Sequence, residues 1–531
     1  MPTRGTGVGR KTAAIPWYTG ENPHLVLEHV HGTCGPQLSR GLISPRESKG
    51  RVVIYAASAV LVVHDMQAQR QRFFGANDGA RVAAMALHPD EETMASCHMA
   101  GSGKALKVAL RFWSWSTVSQ RAEPLDVVLI ARRHGLPSIT DVRAIAFSKY
   151  GDLVFLLLEH RPAEGHPVEG AQSSSIMAVE WRHPHWLAHR SHVALLHSRP
   201  AALEVNTEGD GCVVVAGAER LSMVPVSKEG ELKTETAFKH CGSGDVLLCV
   251  RFIGSKVVAA GSAAGSLWLC DAVKAQVLVK CSLHSGPLFD LAVDAVRVVT
   301  VGADGYVREY CLDEDEVLEA AAADADAAHA AREIDESELT EDMATLVQAM
   351  DVSYHFVYGL AAKQAQEISF GALPLRQWHA GEPGRAGAGG VELRSVCVLP
   401  AREVSDSGKP DRGGLVLTTG ANEMLTLSGT IPITVTLLQT GHSAGTGAGG
   451  RGGNRRRQEG VTGLSCHPVL PIFATCGSDG TVRVWNAEAR CMVMARVAFS
   501  KLLPGAALLR ACQRDRSCAP VRLRLRVREG H

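Results

Sequence analysis

Short valine-rich runs, each broken by a small turn containing glycine, recur along most of the chain, and this recurrence constrains the fold more than any other feature. Examples are VVIYAASAVLVVHD (52–65), GCVVVAGAERLSMVPV (211–226), KVVAAGSAAGSLWLCD (256–271) and VRVVTVGADGYVREY (296–310). Short runs rich in β-branched residues and bounded by turn residues are strands. Aligned on their turns, AAGSAAGSLWLCD (259–271) and TVGADGYVREY (300–310) superimpose, and ATCGSDGTVRVWN (474–486) is the clearest copy. The corresponding positions Val224, Cys270 and Tyr310 are 46 and 40 residues apart. A propeller blade repeats at about 40–45 residues. The expected architecture is therefore all-β, with four-stranded antiparallel blades around a channel.

Composition narrows the function. Of 531 residues, 46% are hydrophobic and 21% charged, which is globular rather than disordered. Lys plus Arg is 55 and Asp plus Glu is 55, so a general polyanion binder is excluded and no nucleic-acid partner is expected. The longest near-apolar run, 52–63, has 12 residues. A bilayer span needs about 20, so no membrane partner is expected. The first twenty residues have no apolar core of the signal-peptide kind. Fourteen cysteines without a CxxC pair read as reduced, mostly buried thiols of a cytoplasmic protein. No cofactor and no metal are expected.

Residues 1–22 read as a flexible basic tail. Residues 313–342 break the strand pattern with thirteen acidic residues and one Arg. Their alanine content favours a solvated helix, so 314–350 reads as an acidic helical linker. Strand-like runs resume at 395–401, 414–429 and 461–492. The expected division is a first propeller at 79–313 and a second, partial one at 351–492. The tail 493–531 ends in the alternating VRLRLRVREGH, which could be a strand. GEPGRAGAGG (381–390) and 441–460 read as flexible loops. HPHWLAHRSH (183–192) reads as a surface loop, not a zinc site. GTGAGG (445–450) matches the dinucleotide fingerprint only by composition, because no strand–helix unit surrounds it.

One blade carries an internal hydrogen-bond set: His442, Thr475, Asp479 in the tight turn, and Trp485. A buried Asp is expected to accept from the His ring and the Thr hydroxyl, and that hydroxyl from the indole N–H. The set resembles that of WD repeats. A second copy is His284, Thr300, Asp304 and Tyr310, with a phenol in place of the indole. In a third blade the slots hold Ala260, Ala264 and Cys270. These residues are structural and are not a catalytic triad.

The leading third adds a resemblance. Leu27, Glu28, Val30 and Gly32 are followed by Tyr55 to Val63, Gln69 to Phe74 and the turn His88-Pro89-Asp90. ASCHMAG (95–101), RFWSW (111–115), AIAFSKYGD (144–152) and the segment 425–442 continue in order. The chain resembles the echinoderm microtubule-associated-protein-like family, marked by a hydrophobic HELP segment running into WD repeats. Ala76 stands where the family has a His, and His29 and His31 stand where it has aromatics. The resemblance implies a closely packed tandem pair of propellers, with the HELP segment (23–78) buried in their core and joint. It also implies a non-enzymatic role in binding tubulin or microtubules, in cytoplasm, spindle or cilium. No heptad-bearing coiled coil precedes the segment, so autonomous affinity is expected to be weak. Arg451, Arg455, Arg456 and Arg457, in a glycine-flanked loop, are the candidate contacts for tubulin's acidic tails. The alternative is a general scaffold, of ciliary or ubiquitin-ligase type, binding other proteins through propeller faces. No metal spacing, nucleophile elbow or phosphate loop supports an enzyme.

Overall fold

The run at 52–65 is two strands, Val52–Ala57 and Val60–Asp65, joined where Ser58 takes a φ of 59°. Both are buried nearly throughout instead of alternating in and out. Continuous burial means that both faces of the sheet are covered, and a valine-rich run answers that need. The same holds for Val257–Ser262 and Leu153–His160. The computed structural model describes residues 29–33, 40–75, 80–101, 106–116, 124–130, 139–160, 174–182, 189–195, 200–207, 211–218, 220–239, 245–294, 297–311, 315, 317, 318, 376–379, 392–399, 414–419, 423–428, 434–440, 461–467, 469–477 and 481–497.

The described strands form eight four-stranded antiparallel sheets, each taking its strands in chain order. The chain divides into two units, Met1–Thr440 and Gly441–His531. The first unit holds sheets one to seven, at 42–75, 81–130, 139–195, 200–237, 247–282, 288–379 and 393–440. The second unit holds sheet eight, at 461–497. In sheets two and four to eight the first strand carries a register shift near its start, for example between Val82 and Ala84 and between Val461 and Gly463. A bulge at one repeated place raises the local twist in the same way each time, so these sheets are copies of one unit.

Apolar clusters join the sheets of the first unit in succession. Phe74 of sheet one packs on Trp113 of sheet two, and Phe112 of sheet two on Phe147 and Val154 of sheet three. Phe155 meets Leu203 and Val215 of sheet four, and Val214 meets Val250 and Trp268 of sheet five. Leu269 meets Leu291 of sheet six, and Val301 meets Leu417 of sheet seven. A seventh cluster joins Val416 and Met424 of sheet seven to Leu42, Val53, Tyr55 and Val62 of sheet one. From sheet two to sheet seven, the first strands of successive sheets lie side by side, and that of sheet seven also lies beside that of sheet one.

Several expectations differ from this arrangement. The fourth strand of sheet six is Arg376–His379, paired with Tyr306–Cys311. The acidic stretch thus lies between two neighbouring strands of one sheet, not between two propellers. A break in strand periodicity looks the same whether it separates domains or interrupts a hairpin. Of 314–350 only Asp315, Val317 and Leu318 are described, all three in helical conformation, with Val317 buried between sheets five and six; the rest of the expected helical linker lies outside the described residues. The runs at 395–401 and 414–429, expected in a second propeller, belong to sheet seven of the first unit. The histidine run at 183–192, expected as a loop, includes the start of the strand His189–Leu195, the fourth of sheet three. An outermost strand tolerates polar residues, which hides it from an apolar-run search. The HELP-like segment, expected to be shared between two propellers, supplies sheet one. The tail 1–22 lies outside the described residues; of the expected tail 493–531, residues 493–497 instead belong to the strand Cys491–Val497, the fourth of sheet eight, and 498–531 lie outside the described residues.

Candidate functional site

In sheet six the turn of Asp304 folds under the strand carrying Thr300, and His284 enters from the connection after sheet five. His284 Nδ1 lies 2.8 Å from Asp304 Oδ1, and its Nε2 lies 2.9 Å from Thr300 Oγ1. With Asp304 ionised, Nδ1–H donates to the carboxylate and Nε2 accepts from the hydroxyl. The imidazole therefore bridges Asp and Thr, whereas the sequence reading had Asp accept from both. Asp304 also accepts from Tyr306 N at 3.1 Å and from Arg308 Nη1 at 2.9 Å. Burial alone would raise the Asp304 pKa, but the His284 and Arg308 hydrogen bonds outweigh it and hold the carboxyl below its usual range. Burial lowers the His284 pKa, so the ring is neutral near pH 7. Tyr310 is buried in the same sheet, directly opposite Val298.

In sheet eight Trp485 Nε1–H donates to Thr475 Oγ1 at 2.7 Å. His442 and Asp479 lie outside the described residues. A third set was not wired from sequence. In sheet two Trp113 Nε1–H donates to Ser96 Oγ at 2.7 Å, and Ser96 Oγ lies 2.8 Å from His98 Nε2. The histidine here comes from the strand itself, two residues on, and not from a preceding loop. Register reveals what the three share. Ser96, Thr300 and Thr475 stand opposite Arg111, Arg308 and Arg483, and the aromatic follows the Arg by two residues. That spacing, hydroxyl then Arg-x-aromatic, is the signal that could have found sheet two. In sheet five Ala260 faces Trp268, Cys270 takes the aromatic place, and Lys280 Nζ lies 3.8 Å over the Trp268 ring.

The turn His88-Pro89-Asp90 stitches sheet two to sheet three. His88 Nε2 lies 3.1 Å from Gly151 O, which also accepts from Trp181 Nε1 at 2.7 Å. Asp90 accepts from Thr93 N, Thr93 Oγ1 and Glu92 N, which closes the turn. Before sheet one, residues 29–33 lie on its outer strands. Gln71 accepts from Val30 N at 2.8 Å and donates to Val30 O at 3.2 Å. His29 and His31 stand with ring centroids 4.5 Å apart, and His64 is fully buried nearby. Burial, then the nearby His29, pushes His31 and His64 each down to about 4.

Charged side chains on first strands meet one another. Arg40, just before sheet one, donates to both carboxylate oxygens of Glu204 on sheet four. Arg251 of sheet five donates to Asp290 of sheet six at 3.2 Å and lies 3.9 Å from Glu204. Asp290 accepts from Val396 N of sheet seven at 3.1 Å.

None of these groupings is set up for covalent chemistry. Burial pushes the thiols of Cys97 and Cys397 up to about 12 and that of Cys281 up to about 11, so they stay protonated at neutral pH and are poor nucleophiles. Among the described residues no group of His, Cys, Asp or Glu could hold a metal ion. Arg451, Arg455, Arg456 and Arg457 lie outside the described residues. Among the described residues no helix is long and apolar enough to cross a membrane.

A family model, the WD domain, G-beta repeat, matches residues 453–486. The match ends on the strand Thr481–Asn486 with its Trp485. No curated protein matches the chain. WD repeats point to a protein-interaction scaffold, a class that is usually non-catalytic.

Proposed function

We propose that the first unit is a closed seven-bladed propeller serving as a non-enzymatic interaction scaffold, and that its partner is tubulin or the microtubule. The observation that carries the scaffold reading is the seam between sheets seven and one. There Val416 and Met424 share an apolar cluster with Val53, Tyr55 and Val62, which supports closure of the seven sheets into a ring. A ring of rigid blades presents turns and loops on two faces, which suits protein partners better than small molecules. The sheet of the second unit then belongs to a second propeller.

The tubulin reading rests on the resemblance of 27–32, 55–63, 69–74 and 88–90 to the microtubule-associated family. Within it, the HELP-like segment supplies the first blade. Within this chain the candidate contact is the basic segment with Arg451 and Arg455 to Arg457, and the alternative is a propeller face. Tubulin's acidic tails would meet it through charge–charge contacts, screened beyond a Debye length of about 8 Å at 0.15 M salt. The expected site of action is the cytoskeleton. Co-sedimentation with purified microtubules across a salt series tests this. Weak binding that falls with salt, and falls further when the four arginines become Gln, is expected. No pelleting at any salt removes tubulin and leaves the scaffold reading. Equal pelleting of the four-Gln variant moves the contact to a propeller face.

A further inference from the structure

We propose that Arg40, together with Glu204, Arg251 and Asp290, is a latch that holds the first unit shut at its centre; this rests on the closed-ring reading. Every sheet takes its four strands from the chain in order, so among the described residues no strand from the beginning of the unit completes the last sheet. Successive sheets are tied by the chain that runs between them. The junction of sheets seven and one lacks that tie, and among the described residues no backbone ladder crosses it. A ring built this way opens first at that seam unless side chains close it.

The charged cluster has the reach to do so. Arg40 lies two residues before the strand Leu42–Ile43 of sheet one, yet its guanidinium is held by Glu204 of sheet four. From Glu204 the contacts run to Arg251 of sheet five, to Asp290 of sheet six, and to the backbone N–H of Val396 in sheet seven. Sheets one and seven are thus tied to each other through the sheets opposite them. Two positive and two negative groups cancel, so the cluster needs no bound ion. The side chains of Glu204, Arg251 and Asp290 are 12%, 11% and 9% exposed, so each charge depends on its partner for compensation. Removing one partner from such a group leaves a buried charge unpaired, which is far more disruptive than losing a surface pair.

Cys397, half-buried, reports on the seam, because it packs against the cluster shared by sheets seven and one, and its thiol donates to Val398 O. Cys97, buried within the cluster of sheets two and three, is the internal control. The test is maleimide labelling of the folded full chain, read at each cysteine by peptide mass spectrometry. In the wild type both thiols should label slowly. In Arg40→Gln, Cys397 should label about tenfold faster or more while Cys97 stays slow, as expected for local opening. Glu204→Gln should act alike, the double variant should add little, and the swapped pair Arg40→Glu with Glu204→Arg should restore slow labelling. Fast labelling of Cys397 alone in the wild type would overturn the closed ring itself. A slow wild type with an equally slow Arg40→Gln would overturn the latch and leave the ring. If Arg40→Gln exposes both cysteines, the swapped pair decides: recovery supports the latch, and no recovery overturns it.

Discussion

At the scale of single residues, the hydrogen-bond sets govern stability. His284 spans Asp304 and Thr300. Asp304→Ala leaves the imidazole Nδ1–H and Arg308 without their acceptor. A loss of about 1–3 kcal/mol is expected, measured by chemical denaturation. Asp479→Ala should act likewise in sheet eight if His442 and Asp479 complete the set begun by Thr475 and Trp485. The buried histidines give a second expectation. His31 and His64 fall to about 4, so the folded chain binds fewer protons there than the unfolded chain, whose histidines titrate near 6.5. Their share of stability is full above about pH 6.5 and is lost as pH falls toward 4. For His64 that loss is on the order of 3 kcal/mol. His64→Leu should flatten the stability profile between pH 6.5 and 4, and an unchanged profile would show that the ring is not buried neutral. Sequence showed the residue types at these sites but not their wiring. His98 and Ser96 escaped because their histidine sits within the strand, where no turn marks it.

At the scale of elements, the junctions between sheets depend on close approach. Gly151 has a φ of 76°, and a Cβ there would lie 1.8 Å from His88 Nε2. Gly151→Ala should therefore cost about 2–4 kcal/mol, by forcing His88 out and straining the backbone. The expected sign in hydrogen exchange is faster exchange at Phe147 and at Met85, on the two sides of that junction. The acidic stretch makes the opposite expectation. Glu309 pairs with Arg376, so the strands of sheet six are neighbours whatever joins them. Replacing 320–372 by a short Gly-Ser linker should leave the melting temperature within a few degrees, because loop length enters closure entropy only logarithmically. A large drop would mean that the stretch holds the sheet. Strands with two buried faces were legible as valine runs. The outer strands His189–Leu195 and Arg376–His379 were not, since an edge position asks for little apolar surface.

At the scale of the whole molecule, periodicity pointed to repeated four-stranded sheets and misplaced the boundary between units. A repeat near 40–46 residues marks the blades, but a long insertion inside one blade resets the count. The seam of sheets seven and one joins residues about 360 positions apart, and no local pattern announces such a contact. The arginine-rich loop was visible as composition only, and its role rests on the salt dependence of microtubule pelleting. Closure of the seven sheets is the claim on which the scaffold and the latch both stand. Native-state hydrogen exchange of the full chain, in rising denaturant, tests it most directly. A closed ring requires Ile54 and Val62 of sheet one and Val416 and Leu417 of sheet seven to exchange through the same opening as Leu156 of sheet three, at the same free energy. Exchange of sheet one or sheet seven at much lower denaturant than sheet three would contradict it.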